Sequence, residues 1–197
     1  MTETIEKSGI LRDLKIYACA SSNGSMFGTY AFAYRITDGD GVTVACNLSE
    51  DAVLFSGSVD QGHHAALLDA LPCIRPAILD RSAEWLQATA DDPKKLSEEL
   101  EAPRSLTIIT SKGDAIFRAY TYPTETLVAS GFKQKSGHLW ANAAWIARFL
   151  AEAEELGVTV LCRPAETIEE EVTLELTRNE GKRRWSRAQK QLRAKYQ

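Results

Sequence analysis

Hydrophobic and polar positions along residues 14–48 fall into three short runs separated by turn formers. Leu14, Ile16 and Tyr17 open an apolar run that ends at Ser21, Asn23, Gly24 and Ser25, a cluster that breaks regular structure. The pattern resumes after Gly28 as Tyr30-Ala31-Phe32-Ala33-Tyr34, and again at 42–48 beyond Asp38-Gly39-Asp40-Gly41. Asp-Gly pairs favour hairpin turns. Three antiparallel strands in succession are therefore expected, after a polar lead-in at 1–11.

The period then lengthens. Residues 49–59 read as a loop, and 61–71 carry Ala65, Ala66, Leu67, Leu68, Ala70 and Leu71 at helical spacing, with Asp60 available as the cap. Residues 72–104 contain Pro72, Pro76, Pro93 and Pro103 around helix-compatible stretches at 77–90 and 94–102. They read as a helical insertion or an extension of the first helix, with a charged, solvated face over 91–101. Ser105-Leu-Thr-Ile-Ile-Thr110 has the short, β-branched, apolar character of a buried parallel strand. An amphipathic helix is expected over 137–155, closed by Leu156-Gly157 with glycine as the left-handed cap, and a fifth strand over 158–162. A further helix starts from Glu166.

Length and charge sharpen this picture. A chain of 197 residues can bury a substantial core. The N-terminal Met-Thr-Glu-Thr-Ile-Glu-Lys lacks the basic-then-apolar design of a secretory signal. The most apolar helical stretch, 139–151, is short and interrupted by Asn142 and Arg148, so no membrane span is expected and cytoplasmic residence is the default. Cys19, Cys46, Cys73 and Cys162 show no C-x-x-C spacing and read as reduced thiols, Cys46 and Cys162 as small core residues. The net charge of −4 conceals an asymmetry. Residues 178–197 hold eight Lys/Arg against Glu180 alone, a net of +7, leaving −11 for 1–177. Such a tail suits a polyanionic partner or a contact with its own acidic body.

The opening hairpin resembles that of the ribonuclease H family. There the first strand ends Tyr-Thr-Asp-Gly-Ser, and a Gly-rich loop leads to a second strand beginning Gly-Gly-Tyr/Trp-Gly/Ala. Here Tyr17-Ala18-Cys19-Ala20-Ser21 stands at the first motif and Phe27-Gly28-Thr29-Tyr30-Ala31 at the second. The family's first helix carries a catalytic Glu before an Ala-rich face ending Ala-Leu. Aligning Ala70-Leu71 with that ending puts His63 at the Glu, or His64 if the register shifts by one. The fourth strand ends Thr-Asp-Ser in the family and Thr110-Ser111-Lys112 here, which puts the third acid on Ser111, with Asp114 on the next turn as a helix N-terminal charge. His138-Leu139-Trp140 resembles the family's Asp-Leu-Trp. The loop that holds a His in the family is Arg163-Pro164-Ala165, and Glu175 falls at the fourth acid. The resemblance covers 14–71 and 105–176.

It implies an α/β ribonuclease H-like fold: a mixed five-stranded sheet, three antiparallel strands then two parallel, with helices on both faces and a helical insertion. The domain would span 1–177, with the insertion at about 72–104 and a basic helical extension over 178–197. The family's chemistry needs clustered carboxylates on two Mg²⁺ ions. With Cys19, His63 and Ser111 at three of the four acid positions and only Glu175 retained, two-metal nuclease activity is expected to be lost and no cofactor is expected. The chain would then serve as a nucleic-acid-binding or protein-assembly module. The alternative is a divergent endonuclease on RNA–DNA hybrid or other nucleic acid, which would use Mg²⁺. Cys19, His63 and Glu175 are also zinc-ligand types, and a Cys–His pair could form a nucleophile. Cys19 and His63 are expected to face each other, with Cys19 pointing toward the first helix on the same side as Tyr17. In the extension, Arg183, Arg184, Arg187 and Lys190 are the candidate phosphate contacts and Trp185 the stacking residue. Arg183, Arg187 and Lys190 fall on one side of the helix, Trp185, Ala188, Leu192 and Tyr196 on another.

Overall fold

The computed structural model describes residues 13–22, 28–47, 53–88, 92, 94 and 104–195. The lead-in, the turn at 23–27, nearly all of the charged segment 91–101 and Tyr196 lie outside the described residues. The strands are β1 (Asp13–Ser22), β2 (Thr29–Thr37), β3 (Thr43–Cys46), β4 (Phe55–Ser56), β5 (Arg104–Thr110) and β6 (Val158–Pro164). The helices are α1 (Val59–Ala88), α2 (Ala115–Tyr120), α3 (Thr124–Ala129), α4 (Ala143–Glu155) and α5 (Ile168–Lys195).

One sheet runs β3-β2-β1-β5-β6, with the two-residue β4 paired to β2. β1, β2 and β3 are antiparallel neighbours, and β5 and β6 add in parallel. This is the expected mixed sheet with β4 added to it. The β2–β3 turn is fixed by Asp38, whose Oδ1 accepts from the amides of Asp40 (3.1 Å) and Val42 (2.8 Å), while Gly41 takes φ 83°.

The two-residue strand period sends Leu14, Ile16 and Ala18 to one face and Tyr17 and Cys19 to the other. On the first face these residues join Ala66, Leu67, Ala70, Leu71 and Ile74 of α1, Ile116 and Tyr120 of α2, and Ile146, Phe149 and Leu150 of α4 in one core. On the second face Tyr17, Cys19 and Ile109 form a smaller cluster with Leu174 of α5.

Two helix starts differ from the sequence expectation, and of the two readings of 72–104 the extension of the first helix holds over 72–88. The cap of α1 is Ser58, not Asp60: the Gln61 amide donates to Ser58 Oγ (3.2 Å) and the Ser58 amide to Gln61 Oε1 (3.0 Å), a reciprocal capping box. α1 then runs through Pro72 and Pro76 as one helix, so residues 72–88 extend it. Each proline removes a helical donor, but Ile74 beyond the first is fully buried, and this packing carries the helix on. The second difference is α4, which starts at Ala143 rather than 137. Gly137 (φ 84°) and Asn142 (φ 63°) are left-handed and break the helix. Lys133 bridges Leu139 instead, and the Trp140 amide donates to the Phe132 carbonyl (2.9 Å). Thus His138-Leu139-Trp140 lies on the return of a small turn and not on a helix. The far end agrees with expectation: Gly157 (φ 68°) follows α4 as its left-handed residue. The boundary drawn between 177 and 178 falls inside α5, which continues unbroken.

Candidate functional site

The site lies where the C-terminal end of β5, the neighbouring end of β1 and the first half of α5 meet. Parallel pairing sets Tyr17 beside Ile109. The strands then carry Cys19 and Ser111 past this point toward the helix that crosses them. α5 is seated by Glu170, which is buried to 3% exposure. Its carboxylate accepts from Arg163 Nη1 and Nη2 (2.8 and 2.7 Å) and from the Glu166 amide (2.9 Å), and pairs with Lys15 Nζ at 3.0 Å. The Arg163 bonds, opposed by burial, hold the Glu170 carboxyl down at about 2. The same clamp orients the following turns over β1.

Two turns beyond Glu170, Arg178 reaches back into the site. Its Nη2 donates to Ser111 Oγ and lies 3.5 Å from Asp114 Oδ2, while Nη1 lies 3.7 Å from Glu175 Oε2. Asp114 is further fixed by Thr110 Oγ1 (2.7 Å) and the Ser111 amide (3.0 Å). Burial raises its carboxyl, but these hydrogen bonds, with His63 and Arg178 nearby, outweigh it and hold the group below the usual carboxylate range. Asp114 stands at the N-cap of α2 but makes no side-chain cap bond, so its work is within this cluster. Beside it a cleft of about 440 Å³ is lined by Ser111, Lys112, Glu171, Glu175 and Arg178.

Cys19 and His63 do not meet as expected. Tyr17 and Cys19 share a side, but it is the α5 side, and Cys19 Sγ lies 3.9 Å from the Leu174 carbonyl among apolar neighbours. α1 covers the opposite face. The helix that approaches Cys19 is therefore the last and not the first. Burial pushes the Cys19 thiol up to about 12, against the pull of Arg178, so it is protonated at neutral pH and poor as a ligand or nucleophile. His63 lies near Asp114, Asp60 and Arg178, and burial lowers its pKa against the pull of the two carboxylates and the Val59 backbone. His64 turns into the core, with Nδ1 3.1 Å from Tyr120 Oη, and burial drops it to about 4.

Two hard divalent cations need several carboxylate oxygens aimed at one place. Among the described residues no three His, Cys, Asp or Glu side chains form a group that could hold a metal ion. Asp114 and Glu175 share the Arg178 guanidinium instead. This donor set does not fit a two-metal centre.

On the second half of α5, Arg183, Arg187 and Lys190 are exposed. Arg184 is buried and donates to the Asn47 carbonyl, tying α5 to the end of β3. Trp185 is half-buried with an enclosed Nε1, and Ala188 is buried. The five candidate contacts therefore divide between the outer and inner sides of the helix. Sequence reasoning missed Arg178 and the role of Asp114. The available signal was the Glu175–Arg178 spacing of three, which places both on one helix face.

No protein-family model matches the sequence, and no curated protein matches it. The likeness is three-dimensional. The foamy virus protease–reverse transcriptase in complex with an RNA/DNA hybrid superposes with a TM-score of 0.51 at 10% identity, over 94% of this chain and 22% of that one. LC11 ribonuclease H1, isolated from compost by a metagenomic approach, gives 0.47 at 14% identity over 86% and 95% of the two chains. LC9 ribonuclease H1, a type 1 enzyme with the type 2 active-site motif, gives 0.49 at 13% identity over 88% and 74%. This chain spans about a fifth of the viral protein's length. Together with the strand order, that superposition establishes a ribonuclease H-like α/β fold. No helix among the described residues is long and apolar enough to cross a membrane.

Proposed function

We propose that this ribonuclease H-like fold works as a binding or assembly module and does not run two-metal nuclease chemistry. The observation that carries the reading is Arg178, held by Ser111, Asp114 and Glu175 where the family frame sets its acids. In-line phosphoryl displacement on two metals needs cations with open positions for the attacking and leaving oxygens. A guanidinium supplies fixed charge but no such position, and it does not turn water into a nucleophile. The protonated Cys19 and the buried His63 supply neither.

Nucleic acid is the ligand class assigned to the exposed cations Arg183, Arg187 and Lys190. The viral protein of this fold is one that holds an RNA/DNA hybrid, and phosphate contacts need no base-reading groups. Arg184 and Trp185 act indirectly, by holding α5 on the sheet. Four free thiols accord with residence in the cytoplasm.

A second reading, a divergent Mg²⁺-dependent endonuclease, is favoured by one observation: Asp114 and Glu175 both lie within 3.7 Å of the same guanidinium. Incubation with an RNA–DNA hybrid and Mg²⁺ or Mn²⁺ separates the two. The expected result is no cleavage above background. Cleavage abolished by both Asp114→Asn and Glu175→Gln would replace the first reading with the second. For the ligand, binding of the hybrid at low salt should fall steeply as salt rises, and Arg183→Ala with Arg187→Ala should weaken it whatever the sequence. No binding at low salt would confine the module to protein assembly.

A further inference from the structure

The outer face of α5 carries a pattern that neither the fold nor the site uses. The helix lies on the sheet through Glu170, Leu174, Thr177, Gly181, Arg184 and Ala188, all buried. Opposite them, Ile168, Val172 and Leu176 recur every fourth residue at 76%, 52% and 53% exposure. Residues four apart share a helix face, so the three form one exposed aliphatic stripe. A stripe of this kind on a surface helix marks an interaction face.

Charge divides the same helix lengthwise. Among its exposed positions, the first half carries Glu169, Glu171 and Glu175 and no Lys or Arg, whereas 181–195 carry Lys182, Arg183, Arg187, Lys190, Arg193 and Lys195 and no Asp or Glu. The halves are opposite in sign, and a helix of this length extends about 42 Å. The surface complementary to this face is the face itself, turned end for end. A parallel pairing would put Glu against Glu and Arg against Arg.

We infer that two copies of this chain pair through α5, antiparallel and about a two-fold axis near Asn179. In that arrangement the acidic half of each helix runs along the basic half of the other. Ile168, Val172 and Leu176 lie against the aliphatic stems of the partner's cations, which cover apolar surface while keeping their charges outward. The contact is isologous and closed, so it stops at two subunits. The pairing draws on the cations Arg183, Arg187 and Lys190 that are assigned above to nucleic acid, so it is measured without nucleic acid present.

Sedimentation velocity on nucleic-acid-free protein at micromolar concentration and low salt tests it. The expected species has twice the 21.7 kDa chain mass and dissociates as salt is raised, as steering charges require. Val172→Asp with Leu176→Asp should give a monomer with an unchanged circular dichroism spectrum, since both positions are solvent-facing. One variant carrying Glu169→Lys and Glu171→Lys, and another carrying Lys182→Glu and Lys190→Glu, should each be monomeric alone and should form a heterodimer when mixed. A single-chain mass for the unaltered protein would overturn the inference. So would a dimer that survives both the aspartate pair and the charge reversals, because it would be built elsewhere.

Discussion

The two faces of the sheet are held by different physics. On the α1 side, Leu67, Leu71, Ile74, Ile116, Ile146 and Phe149 are fully buried, with the polar pairs His64–Tyr120 and Tyr34–Cys73 among them. On the α5 side, Glu170 with Lys15 and Arg163, Arg178 with Asp114 and Glu175, and Arg184 with Asn47 surround a small apolar cluster. The first face folds the chain through non-directional burial. The second fixes where one helix sits, and it places a cation at the strand ends. Burial tolerates many sequences that keep the volume. Charge placement does not, so this chemistry is confined to one side.

Removing a charge from the second face should produce the largest effect. Glu170→Gln leaves Lys15 and Arg163 without their carboxylate, and a loss of about 3 kcal/mol is expected in urea unfolding at neutral pH. A loss under about 1 kcal/mol would show that the clamp only orients α5.

Steric change on the first face comes next. A Cβ on Gly62 would lie 2.6 Å from Ala20 Cβ and 2.8 Å from Tyr30 Cδ2. α1 approaches β1 and β2 too closely there for any side chain, and Gly62→Ala should cost about 2 kcal/mol through overpacking. Gly181 is its counterpart on α5, where an added Cβ meets Cys19 O at 3.8 Å and Ala33 Cβ at 4.0 Å. That is ordinary contact, so Gly181→Ala should raise the unfolding free energy in urea by about 0.5–1 kcal/mol. Equal losses at both positions would abolish the distinction between a tight and a roomy face.

Acid should undo the faces in sequence. His64 is held neutral with a pKa near 4, below the ordinary 6.5, so its contribution is complete above 6.5 and is lost as pH falls toward 4. Glu170 is held at about 2 against 4.5, so its contribution is lost only below 4.5 and on toward 2. Both slopes follow from the unfolded chain binding more protons than the native one. His64→Gln should flatten the upper part of the stability–pH curve and Glu170→Gln the lower part. A curve in which either substitution flattens both windows would mean that the faces titrate as one unit.

The smallest stability effect is expected at the site. Arg178 is a third exposed, so Arg178→Gln should cost about 1 kcal/mol or less, with no gain of cleavage in Mg²⁺. A gain would make the guanidinium a plug in a working centre.

The hairpin, the parallel pair and their order were legible because strand periodicity and turn residues are local. So was Gly157. α4 was misplaced because 137–142 has helical composition, and only the left-handed backbone at Gly137 and Asn142 breaks it. The direction of Cys19 was not legible. Alternation says that Tyr17 and Cys19 share a side, but which helix covers that side is a tertiary fact. Arg178 stood among eight tail cations, marked only by its spacing of three from Glu175, since its other partners Ser111 and Asp114 are 67 and 64 residues away.

The central position of β1 also governs the order in which the chain can fold. Its hairpin partner follows at once, but on its other side Asp13 meets Ser105, 92 residues along the chain. During synthesis β1 and β2 must therefore persist with an open edge while α1 and the segment beyond it emerge. Closing so long a loop is slow, and an unpaired edge invites other chains. α5 comes last, and until it docks Tyr17, Cys19 and Ile109 have no cover. A nascent chain halted before residue 168 would present that apolar surface together with the charge of Lys15, whose partner Glu170 arrives only with the final helix.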